Sequence, residues 1–145
     1  MPGMTAVRPR RTGHPGYNVT KTRTPQTAQD ARRLARVALC AWGLENAAET
    51  AALLLSELIA NAVRHACGPS IRIVIDRPAQ DRVYVAVVDR APRQVPEVRA
   101  PGPEAVSGRG LVLVEELADR WGCEVLGPVR RPWGKRVWAE MTVSR

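Results

Sequence analysis

The chain has 145 residues, 45% of them apolar and 25% charged, and a formal net charge of +8. That length suits one domain able to bury a core without disulfide or metal staples, and the composition argues against wholesale disorder. No apolar run approaches the roughly 18 residues of a membrane span, and the basic start lacks the apolar stretch of a secretion signal, so a cytoplasmic protein is expected.

The positive charge is unevenly placed. Arg8, Arg10, Arg11, Lys21 and Arg23 precede the first acid, Asp30, and the chain beyond them carries 17 basic against 14 acidic residues. A basic leader on a nearly balanced domain argues against a nucleic-acid-binding surface. Cys40, Cys67 and Cys123 are odd in number and widely spaced, with only His14 and His65 beside them. Neither a zinc site nor a disulfide framework fits that spacing, and buried reduced thiols are expected.

In chain order, residues 1–15 hold Pro, Gly, Arg and Thr without apolar period and read as a disordered basic leader, leaving 16–145 as the folded domain. Tyr17 to Lys21 alternates weakly, as a short edge strand would. Thr24-Pro25 supplies an N-cap followed by proline at the first helical position. Ala31, Leu34, Ala38 and Ala41 then recur at helical spacing until Gly43, with Arg32, Arg33 and Arg36 on the other side. A second helix starts near Asn46, with Glu49 placed for a capping box, and runs to about Cys67 before Gly68-Pro69.

The β-branched runs "IRIVID" (71–76) and "RVYVAVVD" (82–89) lie close enough to form an antiparallel hairpin. Residues 90–107 carry four prolines and no period, a length of loop that commonly acts as a lid or binding loop. Gly108-Arg109-Gly110 then opens a third helix, "LVLVEELADRW", ending at Gly122, and strands follow at 123–126 and 135–143. Grouped helices and hairpins predict an α+β, two-layer sandwich, with helices on one face of a mixed, mostly antiparallel sheet.

The second helix carries "SELIANAVRHA" from Ser56 to Ala66. Glu57 and Asn61 stand one turn apart on one face, continued by Arg64 and His65, while Leu54, Leu55, Leu58, Ile59 and Ala62 form the flank that meets the sheet. Taken alone, this is the polar outer face of an ordinary helix. It is followed, however, by a strand ending in Asp89, a long loop, and a glycine pair at a helix start, where unpaired N–H groups suit phosphate.

That ordered set, with "LLLSELIANAVRHA", "GRGLVLVEELADRWG" and "GKRVWAEM", resembles the GHKL (histidine kinase-like) ATPase superfamily over about residues 17–143. The resemblance is nearest to short actinobacterial anti-sigma factor serine/threonine kinases. It implies that Asn61 holds Mg²⁺ through its side-chain oxygen and that Glu57 activates the attacking hydroxyl. It also implies that Arg64 neutralises phosphate charge, Asp89 accepts from the adenine amino group, and Gly108, Arg109, Gly110 and Leu111 form the second phosphate-binding motif. The implied cofactors are ATP and Mg²⁺. The implied partners are a sigma factor or an anti-sigma factor antagonist, with a homodimer also open.

Two departures from the family pattern bear on the adenine end. After Asp89 the chain reads Arg90-Ala91-Pro92-Arg93 where the family has D-x-G-x-G, and Arg136 falls where the last strand often carries a threonine. Two functions follow as alternatives: an ATP- and Mg²⁺-dependent protein kinase, or a noncatalytic regulator that keeps the fold to bind partners. Trp121, Trp133 and Trp138 are expected to pack in the core or sheet rather than to stack on bases.

Overall fold

The computed structural model describes residues 5–9, 15–92 and 106–144, with backbone alone at 5–9, 15 and 106–110. The elements in chain order are β1 (Thr5–Pro9), β2 (Pro15–Thr22), α1 (Gln26–Ala41), a 3₁₀ turn (Glu45–Ala47) and α2 (Ala48–His65), then β3 (Ser70–Ala79), β4 (Arg82–Asp89), α3 (Val106–Leu117), β5 (Arg120–Leu126) and β6 (Gly134–Thr142). The strands form one sheet in the order β1-β2-β3-β4-β6-β5. All its pairings are antiparallel, where the sequence led to a mixed sheet. The α+β sandwich itself is as expected.

Strand alternation sets which side chains meet the helices. Val19, Ile71, Ile73, Ile75, Val83, Val85, Val87, Val137, Ala139 and Met141 share one sheet face, and all are buried in a core with residues from α1 and α2. Without phenylalanine, that core is filled by branched aliphatics and by a close contact between helices. Ala31, Ala35 and Ala38 of α1 and Ala48, Ala51 and Ala52 of α2 are all buried, and such small side chains let the two helix backbones approach. Leu39, Leu55 and Ile59 are fully buried and hold the helical layer on the sheet.

Several boundaries differ from those the sequence suggests. Within the stretch expected to be a disordered leader, Thr5–Pro9 pairs with β2, so β2 is not an edge strand. Proline at the end of β1 costs the ladder little, because an edge strand leaves donors unused. The capping box at Asn46 and Glu49 does not form. α2 has no side-chain cap, and the Glu49 carboxylate instead accepts from Arg36 of α1 at 2.7 and 3.2 Å. That hydrogen bond holds the Glu49 carboxyl below the usual range, but both partners are exposed, so the pair adds little to stability.

The third helix stops at Leu117, five residues before Gly122. Trp121 and Gly122 belong to β5, where Gly122 lies opposite Trp138, and a Cβ there would sit 3.0 Å from that ring. Trp138 stacks on Tyr84 at 6.0 Å between ring centroids, and Trp121 donates its ring N–H to Glu115, so both serve packing as expected. Trp133 is the exception, about half exposed in the turn before β6. The thiols also depart from expectation, since Cys40 and Cys67 are exposed. Only Cys123 is partly buried, and burial raises its thiol pKa above the ordinary value.

Candidate functional site

The C-terminal end of α2 and the end of β4 lie together. Cys67, two residues past α2, donates its thiol to the carbonyl of Arg90 at 3.2 Å, and Arg90 follows Asp89. Arg23 ties the same corner by donating to the carbonyls of Gly68 (2.7 Å) and Val63 (2.8 Å). Asn61, one turn before the helix end, is thus on the Asp89 side of the molecule, and it is buried with 4% exposure. Glu57, a further turn back on the same face, is half-buried.

The third helix packs on α2 as well. Its C-terminus is fixed at the far end of β6, where Asp119 donates its N–H to the carbonyl of Glu140 and accepts at its carboxylate from the Thr142 N–H. From there a helix of 12 residues, about 18 Å at 1.5 Å per residue, packs against α2. Gly108, Arg109 and Gly110 lie inside its first turns rather than ahead of it, because the helix begins at Val106. The first four N–H groups of a helix have no intrahelical partner, and by position that of Gly108 is among them. Leu111 is buried at 2% exposure, so its side chain packs and only its backbone could serve a ligand.

Asp89 is the most constrained group at this end. Its Oδ1 accepts from Lys135 Nζ at 2.9 Å and from the Ala91 N–H at 2.8 Å, and Lys135 also donates to the Ala91 carbonyl at 2.9 Å. Both side chains are 1% exposed. The other oxygen, Oδ2, is buried and has no hydrogen-bond partner among the described residues. The first missing glycine, at Ala91, now has a physical account, while the second falls at Arg93, outside the described residues: the Asp89 side chain closes the turn after β4 through the Ala91 N–H, and Lys135 clamps the Ala91 carbonyl. No left-handed backbone is needed, and no described residue other than glycine has positive φ.

A family model for the histidine kinase-like ATPase domain matches residues 21–139. The chain belongs to that family. No curated protein matches it. As a histidine kinase-like ATPase domain it is an ATP-binding module, and Asp89 Oδ2 is a buried acceptor without a partner among the described residues. A buried acceptor left unmade costs about 1–3 kcal/mol, which a ligand N–H would recover.

Sequence reasoning put Arg136 beside the adenine position of this ATPase domain, and the register corrects it. Lys135 pairs with Asp89 across β4 and β6, while Arg136 pairs with Val88 and so points to the opposite sheet face. On that face burial raises the Tyr84 hydroxyl pKa, against the pull of the nearby Arg136 charge. Lys135 was overlooked; its signal was an alternation that puts it on the apolar face of β6 with Val137 and Ala139. Arg64 and His65, in the last turn of α2, are exposed. Residues 93–105, most of the expected lid, lie outside the described residues. A cavity of about 250 Å³ reaches Asp89 from the sheet side between Arg72, Arg90 and Trp133, and it touches neither Glu57 nor Asn61.

The junction of β4 and β6 is tightly built. A Cβ at Gly134 would run into the backbone carbonyl oxygen of Asp89. Gly134→Ala is therefore expected to destabilise the domain by about 1–3 kcal/mol, since backbone cannot step aside as a flexible side chain would. Thermal unfolding by circular dichroism checks this, and an unchanged midpoint would mean the strands are not so closely opposed.

Proposed function

We propose that this protein is an ATP- and Mg²⁺-dependent serine/threonine protein kinase of the anti-sigma factor kind, controlling transcription by phosphorylating a partner and so changing its binding. The observation that carries the reading is the buried, half-unpaired carboxylate of Asp89 on the side of the molecule where Asn61 lies, with the first turn of α3 as the third group that the family pattern implies. Those groups suit, in turn, an adenine amino group, a metal-bridged phosphate and a phosphate charge. Asn61 would give Mg²⁺ its side-chain oxygen. Among the described residues no three His, Cys, Asp or Glu gather to hold an ion, so Mg²⁺ would enter with the phosphates. ATP supplies the phosphoryl group, and Glu57 would take the proton of the acceptor hydroxyl.

The test is calorimetric titration with ATP and Mg²⁺, followed by phosphate transfer to candidate anti-sigma factor antagonists. Asn61→Ala is expected to weaken ATP binding at least tenfold while the fold persists. Equal affinity in the variant would remove Asn61 from the site.

A second reading, a noncatalytic regulator, is favoured by one observation: Asp89 already has a protein partner in Lys135. Undetectable ATP binding beside tight binding to a sigma factor or antagonist would select it. No helix of the described residues is long and apolar enough to cross a membrane.

A further inference from the structure

We infer that Lys135 sets the base specificity of this site, by holding Asp89 as a carboxylate that accepts and cannot donate. The inference rests on the ATP reading above. The two charges are 2.9 Å apart and each is 1% exposed, so neither is neutralised by water. Oδ1 is saturated by the Lys135 ammonium and the Ala91 N–H, and the Lys135–Ala91 carbonyl bond keeps that ammonium from swinging away. The acceptor left over is Oδ2, buried and unpartnered among the described residues.

An ionised carboxylate has lone pairs and no proton, so it rewards a donor and repels an acceptor. Adenine offers its exocyclic N–H there. Guanine in the same pose offers O6, acceptor against acceptor. Without Lys135 the carboxyl would be a buried charge lacking a counter-charge, and such a group takes up a proton rather than remain unpaired. A protonated Asp89 donates as well as accepts, and guanine would no longer be excluded. Cys123 also feels both charges, and with its thiol pKa raised it stays neutral and cannot replace Lys135, while Arg72 and Arg90 line the cavity at Asp89 with no ion pair to its carboxylate among the described residues.

Lys135→Met keeps the length and apolar stem of the side chain while removing the charge. Two measurements test it. Without nucleotide, infrared spectroscopy near neutral pH should show a protonated-carboxyl band in Lys135→Met, absent from the wild type and from the double variant Lys135→Met, Asp89→Asn. With nucleotide, calorimetry should show the preference of the wild type for Mg·ATP over Mg·GTP shrinking about tenfold or more in Lys135→Met, as expected when a charge-assisted hydrogen bond is lost. Lys135→Arg keeps the charge and should keep the preference, which a purely structural lysine would not require. Lys135→Gln makes the same comparison if the methionine variant fails to fold. A selective wild type with an unchanged ratio in the neutral variants would overturn the role of Lys135 and leave the ATP reading standing. A wild type that binds neither nucleotide would overturn both.

Discussion

Glu57→Gln is expected to lower phosphate transfer from ATP to an acceptor protein by about 10²- to 10⁴-fold, the usual worth of a positioned base. ATP affinity should stay within about threefold, because the amide keeps the shape and the residue is not assigned to the nucleotide. Glu57 is half-buried on α2, one turn before buried Asn61, so the substitution neither opens a cavity nor strips a buried partner of its charge. Single-turnover transfer and calorimetry on the same preparation separate the two effects. Transfer at the wild-type rate would show that the hydroxyl needs no base from this helix and would leave Glu57 an ordinary surface acid. A parallel loss of ATP affinity would instead place Glu57 at the metal or phosphates.

Asp89→Ala is expected to be damaging for a reason separate from nucleotide. It removes the counter-charge of Lys135, an ammonium at 1% exposure, and breaking one side of a buried ion pair costs about 3–5 kcal/mol. For a domain of this size that is a fall of roughly 10 °C in the unfolding midpoint. The turn after β4 also loses its Asp89 to Ala91 bond. Adding Lys135→Met to Asp89→Ala should restore much of the loss, since the two charges disappear together, and thermal unfolding of the two variants checks both statements. A single variant as stable as the wild type would mean that water reaches Lys135 or that the ammonium finds another carboxylate. Loss of ATP binding in Asp89→Ala alone is therefore ambiguous, whereas a changed base preference in a folded Lys135 variant is not.

Much of the fold was legible because its signals are local. The runs "IRIVID" and "RVYVAVVD" are β-branched and separated by too few residues for a crossover, so an antiparallel hairpin was the only short connection. Ala31, Ala38, Leu54, Leu58 and Ile59 lie at helical spacing and are all buried. The misplacements have physical causes. "LVLVEELADRW" has a helical period to its end, yet Trp121 and Gly122 gain more from pairing with β6, where the glycine accommodates Trp138. Asn46 and Glu49 spell a capping box, but Glu49 finds Arg36 on a helix thirteen residues earlier. Thr5–Pro9 has too weak a pattern to read as a strand, and it becomes one by adding to the edge that β2 offers.

The sequence by itself determined the two-layer α+β class, the family, and the pairing of Glu57 with Asn61, because each is written in spacings along one helix or in motifs in chain order. Only the tertiary structure decided that Asp89 is held by Lys135 and that Arg136 faces the other side of the sheet. Residues 89 and 135 become neighbours through the register of β4 on β6, and a shift of one residue would exchange Lys135 for Arg136 at the carboxylate. That register is set by the packing of Val85, Val87, Val137 and Ala139 beneath the helices, a collective property of the core that no local stretch of sequence carries.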